Sequence, residues 1–249
     1  MNAKFDGLAE VYDQSRPRYP SQLFEPLVQQ LPPDAAVLDC GAGTGIALES
    51  IIPLLGGAAT VSAVDISADM IRLGEKKFPQ VRWYQAEAEV FLRDHQPFDL
   101  IIAAQSYQWM YRPRYLAAVK SSLSLDGICA VVQNNRDFSR EGIALDYEDL
   151  LERYSPGYNR HYRSFDVSAE LSQEFPSVSY MKIDWERPMS IEEFVTMSSS
   201  STQAQRAIDA TGETFLSEVE ALALIYAGGP DGEISLPYST ELIYGVNAG

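Results

Sequence analysis

Cysteine and histidine are both scarce in this 249-residue sequence, which contains two of each. Cys40 and Cys129 lie in apolar segments that predict two different buried strands. This placement favours reduced thiols over a disulfide, and with them a cytoplasmic protein. His95 and His161 are isolated, and the spacings of Cys, His and acidic residues typical of metal sites are absent, so we expect no metal.

Basic residues are also in short supply, because 19 Lys and Arg stand against 35 Asp and Glu, a formal net charge of −16. A nucleic-acid partner is not expected, since phosphate contacts require a basic face. No apolar run approaches the length of a membrane span and residues 1–20 are polar, so we expect neither a membrane segment nor a secretory signal. These absences favour a monomeric or homodimeric globular protein that acts on a small molecule.

Glycine, by contrast, is concentrated in one turn. Residues 37–45 read Val-Leu-Asp-Cys-Gly-Ala-Gly-Thr-Gly and lie between an apolar run and an apolar-patterned segment at 46–55. That order predicts a strand, a tight turn and a helix, with backbone N–H groups brought close to a ligand. Asp65 follows the next apolar run, and a carboxylate at a strand end accepts hydrogen bonds from both hydroxyls of a ribose. The two signals predict a nucleoside-containing cofactor at the carboxyl ends of parallel strands.

The spacing of the glycines discriminates between cofactors. It is G-x-G-x-G here, whereas dinucleotide sites have G-x-G-x-x-G. Asp39, two residues before the first glycine, would repel a pyrophosphate and favour an ammonium group. This points to S-adenosylmethionine (SAM), which has a cationic amino-acid end and no phosphate. A NAD-dependent oxidoreductase is the alternative from another class, although the sequence also lacks a Tyr-x-x-x-Lys pair.

The glycine turn resembles motif I of the class I SAM-dependent methyltransferases, residues 64–67 resemble their acidic second-strand motif, and residues 98–102 their fourth strand. Residues 105–109, Gln-Ser-Tyr-Gln-Trp, are similar to small-molecule methyltransferases of the trans-aconitate methyltransferase type. The opening of the chain shares that similarity through Phe5, Asp6, Ala9, Tyr12, Arg16, Pro17, Tyr19 and Pro20. The resemblance covers residues 1–135 well and the remainder loosely. It implies SAM as cofactor and S-adenosylhomocysteine (SAH) as product.

The motifs and the predicted strand ends together define the expected cofactor site. Arg16 is expected to pair with the cofactor carboxylate, Glu87 to accept from the adenine amine, and Gln105 to accept from the cofactor ammonium. The expected cofactor-binding residues are Tyr12, Arg16, Asp39, Gly41, Ala42, Gly43, Thr44, Gly45, Asp65, Ile66, Met70, Ala86, Glu87, Ala88 and Gln105.

Strands and helices alternate along the first half of the chain, which predicts an α/β fold with a parallel sheet and helices on both faces. The five predicted strands are 36–39, 59–65, 81–85, 99–104 and 127–133, and the helices are 22–31, 45–55, 68–78 and 113–123. Two later strands, 178–185 and 233–246, are expected to form an antiparallel addition that completes a Rossmann-like seven-stranded sheet. Further helices are predicted at 191–199 and 202–227.

We expect one domain over residues 1–249. Residues 1–30 are predicted to form a helical segment over the cofactor, and residues 134–200 an insertion that covers the substrate. Residues 112–163 contain eight basic and seven acidic side chains, whereas residues 164–249 contain three and fourteen. Basic groups are therefore concentrated where contact with substrate is expected, with a solvated helix face as the alternative.

Methyl transfer from a sulfonium is an in-line displacement that requires alignment of the reactants and exclusion of water. No His–acid dyad is recognisable, which favours a mechanism dominated by proximity. The catalytic residue is therefore not assigned from the sequence. The candidates are Tyr12, Gln105, Tyr107, Trp109 and His161.

The methyl acceptor is predicted to be an acidic small molecule that is methylated on a carboxylate oxygen. Arg136, Arg140 and Arg163 motivate this prediction, together with the lack of an evident base. The alternatives are N- or O-methylation of an amine or phenolic natural product, and a non-catalytic SAM-binding protein. Residues 103–106, Ala-Ala-Gln-Ser, differ from the Asn-Pro-Pro-aromatic sequence of enzymes that methylate the amino groups of DNA bases.

Overall fold

The computed structural model describes residues 9–95, 97–162 and 164–247. Three residues of the sequence predictions therefore lie outside the described part of the chain. They are Phe5 and Asp6 of the opening motif and Arg163 of the proposed arginine set.

Within the described residues, seven strands form one sheet in the order β3-β2-β1-β4-β5-β7-β6. The strands are β1 (Ala36–Cys40), β2 (Thr60–Asp65), β3 (Arg82–Gln85), β4 (Phe98–Ala104), β5 (Leu123–Arg136), β6 (Ser177–Ser190) and β7 (Glu233–Val246). The first five run parallel, and β7 pairs antiparallel with both β5 and β6. The predicted seven-stranded Rossmann-like sheet with its antiparallel addition is confirmed.

Helices cover both faces of this sheet. They are α1 (Ala9–Ser15), α2 (Glu25–Val28), α3 (Ile46–Ile51), α4 (Ala68–Lys77), α5 (Ala88–Asp94), α6 (Arg112–Ser122), α7 (Ile143–Tyr154), α8 (Val167–Leu171), α9 (Ile191–Ser199), α10 (Thr202–Thr211) and α11 (Glu213–Ala227). Leu23, Leu27 and Ile51 pack on one face of the central strands, while Phe91 and Val119 pack on the other. The buried apolar residues of β1 and β4 contribute to both clusters, as expected for central parallel strands.

Two predicted helices are each divided in the structure. The helix predicted at 22–31 is a short 3-10 turn (Ser21–Leu23) followed by α2. Pro26 lacks an N–H to donate to the preceding turn and its ring crowds the carbonyl four residues back, so the first turn does not continue as α-helix. The helix predicted at 202–227 is interrupted at Gly212, whose φ of 63° separates α10 from α11.

A second helical layer is built on the outer part of the sheet. The last three strands in sheet order, β5, β7 and β6, are each 14 residues long. Helices α7, α9, α10 and α11 form an apolar cluster with Met189, Leu236 and Tyr238 of β6 and β7. Residues 134–136 complete β5 and residues 177–190 form β6, so two parts of the expected insertion belong to the central sheet. We call α7, α9, α10 and α11, with their connecting loops, the helical cap.

Candidate active site

The glycine turn follows the buried end of β1. The N–H groups of Gly41 and Ala42 both donate to the carbonyl of Val64 in β2, at 2.8 and 3.1 Å. Gly41 has a φ of 68°, and a Cβ at that position would lie 2.6 Å from Cβ of Ser106. Glycine is therefore required there both by the backbone conformation and by the close approach of the loop after β4.

Asp65, at the end of β2, is bonded to the glycine turn through its side chain. Its Oδ2 accepts from the N–H of Gly43 at 2.8 Å and its Oδ1 accepts from the N–H of Ser67 at 2.8 Å. Burial raises the pKa of Asp65, although the backbone donors lower it. Each carboxylate oxygen accepts more than one hydrogen bond, so acceptor capacity remains for two ribose hydroxyls.

The carboxyl group of Asp39 is buried at the end of β1, beside the glycine turn. It is 1% exposed, and neither of its carboxylate oxygens has a hydrogen-bond partner among the described residues. Burial, followed by the nearby Asp65, raises the pKa of Asp39 to about 8. A buried ionisable group without a partner is costly, and a cationic ligand group would compensate it.

Helix α1 is fastened onto the glycine turn by a network of charges around Asp13. Asp13 accepts from the Thr44 hydroxyl at 2.5 Å and from Lys77 Nζ at 2.5 Å. Lys77 also contacts Glu49 at 2.7 Å, and Arg18 bridges Glu49 and Asp13 at 2.8 and 3.1 Å. Burial raises the pKa of Asp13, but these donors outweigh it and hold the pKa below its usual value. We call these five residues the α1 latch.

The latch places two side chains of the N-terminal segment at the site. The Arg16 guanidinium lies over the Tyr12 ring, with Cζ 4.6 Å from the ring centroid. Arg16 Nε is buried and has no hydrogen-bond partner among the described residues. Both side chains face the same open space as Asp39. A ligand carboxylate would satisfy the unpaired donor.

That space is a cavity of about 890 Å³ over the carboxyl ends of the parallel strands. All of the expected cofactor residues except Gly45 line it. Gly45 faces the other way, since a Cβ there would lie 2.9 Å from the Phe78 ring and 3.3 Å from Trp83. Residues that the sequence prediction missed also line the cavity, and these include Tyr19, Ser67, Glu89 and Ser106.

The structure places three of the five catalytic candidates at the cavity and two outside its lining. Tyr12, Gln105 and Trp109 line the cavity. Tyr107 does not, because its ring is buried in the core and its hydroxyl donates to Glu170 at 2.7 Å. His161 lies outside the lining, where its ring packs against Phe138 at 5.9 Å between centroids. Strand-end position alone could not show that Tyr107 points into the core.

Two of the arginines expected to meet the substrate, Arg136 and Arg140, are already paired. Arg136 contacts Glu148, with Nε 3.0 Å and Nη2 2.5 Å from Oε1. Burial opposes the charge of Arg136, but Glu148 raises its pKa well above the usual value. Arg140 is exposed and contacts Asp137 at 3.3 Å, outside the cavity lining. The expectation that these arginines face an anionic substrate is not supported, because counting charges cannot reveal their acidic partners.

Beyond the cofactor residues the cavity is lined by aromatic rings from several elements. They are Trp109, Tyr111, Phe138, Tyr158, Tyr162, Phe165 and Tyr238. Tyr158 donates to Oε2 of Glu148 at 2.5 Å, which leaves the oxygen of its hydroxyl as an acceptor. We call this part of the cavity the aromatic chamber. Its rings present apolar surface and suit a ligand that is itself partly apolar.

Comparison with known proteins identifies related sequences. Residues 37–127 match a methyltransferase domain family model. An uncharacterised methyltransferase-like protein of Schizosaccharomyces pombe is 24% identical over 196 residues, which cover 76% of this chain and 73% of that protein. A trans-aconitate 2-methyltransferase of Azoarcus sp. is 35% identical over 86 residues, 34% of this chain and 33% of that enzyme.

The fold also has counterparts among solved structures. A protein of Anaeromyxobacter dehalogenans, assigned as a type II methyltransferase, has a TM-score of 0.73 at 23% identity, covering 94% of this chain and 98% of the other. At that identity the likeness concerns the fold alone.

Residues 9–95, 97–162 and 164–247 contain neither a candidate membrane span nor a candidate metal site. No helix in these ranges is long and apolar enough to cross a membrane. No group of three or more His, Cys, Asp or Glu side chains in them is arranged to hold a metal ion.

The raised pKa of Asp39 predicts a pH-dependent stability. Between about pH 4 and about pH 8 the folded protein retains a proton on this carboxyl that the unfolded chain releases. This contribution is fully present below about pH 4 and is lost as the pH rises through about 8. We expect Asp39→Asn to reduce the fall in unfolding free energy over this window, measured by urea denaturation.

The control for that measurement is Asp34→Asn, which removes an exposed carboxylate of the same type. It should leave the pH dependence close to that of the unsubstituted protein. Identical slopes for Asp39→Asn and the unsubstituted protein would show that Asp39 does not titrate in this window.

Proposed function

We propose that this chain, which belongs to the class I SAM-dependent methyltransferases, transfers a methyl group from SAM to a small molecule held in the aromatic chamber. The observation that carries the proposal is the continuous cavity. Its lining includes both the glycine turn with Asp39, Asp65 and Arg16 and the rings of the aromatic chamber. A non-catalytic SAM-binding protein would need no such second chamber.

The residues at the cofactor end fit SAM group by group. Asp65 has acceptor capacity for the ribose hydroxyls, and Asp39 suits the ammonium group. The unpaired donor of Arg16 suits the carboxylate. Glu87, at the start of α5, is proposed to accept from the adenine amine. SAM supplies an electrophilic methyl group on a sulfonium, and the residues named here bind and orient it.

The protein's own contribution to the reaction is positional. Neither histidine lines the cavity as the described residues define it, since His95 stacks on Phe91 and His161 packs on Phe138. The side chains around the chamber therefore align the acceptor and exclude water. Such a site suits a nucleophile that needs no strong base, for example a carboxylate or a neutral amine.

The carboxylate proposal rests on the absence of a histidine base from the described cavity lining rather than on arginines. Arg136 is neutralised by Glu148 and Arg140 is outside the cavity. The Azoarcus relative is named for trans-aconitate, a carboxylic acid, but its match spans a third of each chain. An amine or phenolic acceptor is favoured by the aromatic lining, so it is the second candidate.

Asp65→Ala tests the cofactor assignment. The variant should lose two ribose hydrogen bonds and roughly 2–4 kcal/mol of SAM binding, at about 1–2 kcal/mol per bond to a charged acceptor. Calorimetry with SAM measures this loss. Asp69→Ala is the matched control, because Asp69 pairs with Arg72 and does not line the cavity. Unchanged SAM affinity in Asp65→Ala would remove Asp65 from the cofactor site.

Arg16→Ala tests the carboxylate partner. The variant should weaken SAM and SAH by the same factor, because both carry the amino-acid carboxylate. Calorimetry with each nucleoside provides the comparison, and Arg72→Ala controls for the loss of one exposed positive charge. A variant that keeps both nucleosides but loses affinity for the methyl acceptor would place Arg16 on the substrate side.

Product chemistry tests the acceptor. SAH release is first measured across a panel of small acids, including trans-aconitate, and of amines and phenols. We expect labelled methyl groups on the best substrate to be released as methanol by mild alkali, as from a carboxyl methyl ester. N-methyl and aryl O-methyl products survive that treatment. Resistance of the label would reject the carboxylate and leave the amine or phenol.

A further inference from the structure

Two amide side chains at the end of β5 have unused donors. Gln133 and Asn134 are each 6% exposed, and both line the cavity. Gln133 Nε2 and Asn134 Nδ2 are buried and have no hydrogen-bond partner among the described residues. Buried polar groups in native proteins almost always have a partner, so two unpaired donors on one cavity point to a ligand.

The orientation of the Asn134 amide is set by a chain of hydrogen bonds. Trp185 Nε1 donates to the Thr240 hydroxyl oxygen at 2.8 Å. An indole N–H is only a donor, so the Thr240 hydroxyl directs its own hydrogen to Oδ1 of Asn134, 3.0 Å away. The carbonyl side of the amide is thereby engaged inside the protein. The Nδ2 side is left for the cavity.

The end of β5 adjoins the end of β4. The N–H of Gln105 donates to the carbonyl of Val132 at 2.9 Å, and Gln105 Nε2 donates to the carbonyl of Asn134. The two amides therefore lie between the proposed cofactor end and the aromatic chamber. Successive strand residues point to opposite faces, so the amides approach the cavity from the two sides of the strand end.

The charged side chains near these amides already have partners. Arg136 is paired with Glu148, and Glu241 accepts from the Tyr180 hydroxyl at 2.6 Å. Lys182 contacts Asp184 at 3.1 Å. Recognition at this position therefore depends on neutral N–H donors rather than on a net charge. Neutral donors select an acceptor oxygen, and they do so for a carbonyl as well as for a carboxylate.

We propose that Gln133 and Asn134 form an amide-donor subsite for carbonyl-type oxygens of the methyl acceptor, whether keto, amide or carboxyl. The proposal rests on the proposed function, because it assumes that the aromatic chamber holds the acceptor. It narrows the substrate class to small molecules that carry such an oxygen beside apolar or aromatic surface. Amines and phenols qualify when they also carry a carbonyl group.

The experiment uses the full chain saturated with SAH and three probes that share one ring. Benzamide supplies a neutral carbonyl oxygen, benzoate a charged carboxylate, and benzylamine no acceptor oxygen. Binding is followed through the side-chain amide ¹H–¹⁵N resonances of Gln133 and Asn134. We expect benzamide or benzoate to shift these resonances and benzylamine to leave them in place.

Gln133→Glu and Asn134→Asp replace each donor nitrogen by an oxygen of nearly the same shape. In either variant we expect affinity for the oxygen-bearing probe to fall roughly three- to tenfold, the contribution of one hydrogen bond. Gln173→Glu is the charge control, because Gln173 is exposed and outside the cavity lining. If the carboxyl group introduced by Gln133→Glu prevents folding, Gln133→Met serves in its place, because it removes the donor without adding a charge.

The outcomes separate this inference from the proposed function. Calorimetry of SAH binding precedes each probe titration, and failure of SAH to bind the unsubstituted protein would reject the cofactor assignment itself. If SAH binds but neither the resonances nor the variants respond to benzamide or benzoate, the subsite is wrong. Weakened SAH with unchanged probe affinity would also overturn it, since the amides would then serve the cofactor.

Discussion

The hydrogen bonds of the Asp65 carboxylate are the constraint on which the cofactor end depends. One oxygen accepts from Gly43 in the turn after β1, and the other accepts from Ser67 at the start of α4. A single side chain thus fixes the turn, the strand end and a helix start relative to one another. The same carboxylate is the proposed ribose acceptor, so one side chain both fixes the conformation of the site and binds the ligand.

A second set of charged groups, the α1 latch, holds helix α1 against the glycine turn. The α1 latch connects Asp13 to Thr44 and Lys77, and Arg18 to Glu49. Its members belong to α1, the segment after it, the glycine turn, α3 and α4. Because the latch is a network with partly buried members, it is less screened by solvent than an isolated surface pair. It holds Tyr12 and Arg16 at the mouth of the cavity.

Local sequence patterns were sufficient to predict the sheet and to select residues that line the cavity beside the glycine turn. Apolar runs ending in Asp39, Asp65 and Ala104 mark the strand ends, and strand ends meet at one edge of a parallel sheet. Gly45 does not line the cavity, and the spacing of a turn does not show on which side each residue faces. Helix α5 is absent from the sequence prediction, which interprets Glu87 as an acceptor for the adenine amine.

The substrate end was harder to predict, because it depends on pairs that are distant in sequence. In the sequence alone Arg136 is a charge without an evident partner. The structure shows that α7 brings Glu148 beside it. In the sequence Gln133 and Asn134 are simply polar residues at the end of a strand. The orientation of the Asn134 side chain depends on Thr240 in β7 and on Trp185 in β6. Such contacts follow from the pairing of β5, β7 and β6, and no local sequence pattern predicts which strands pair.

The length of β5, β6 and β7 limits how the site can open. Backbone hydrogen bonds join β5 to β7 from Ile128 to Arg136, and β6 to β7 along their whole length. The strands on which the helical cap packs are therefore continuous with the sheet that carries the cofactor end. A hinge motion that separated β6 and β7 from β5 would break that ladder, so we expect small molecules to enter and leave through rearrangement of loops and side chains around the cavity.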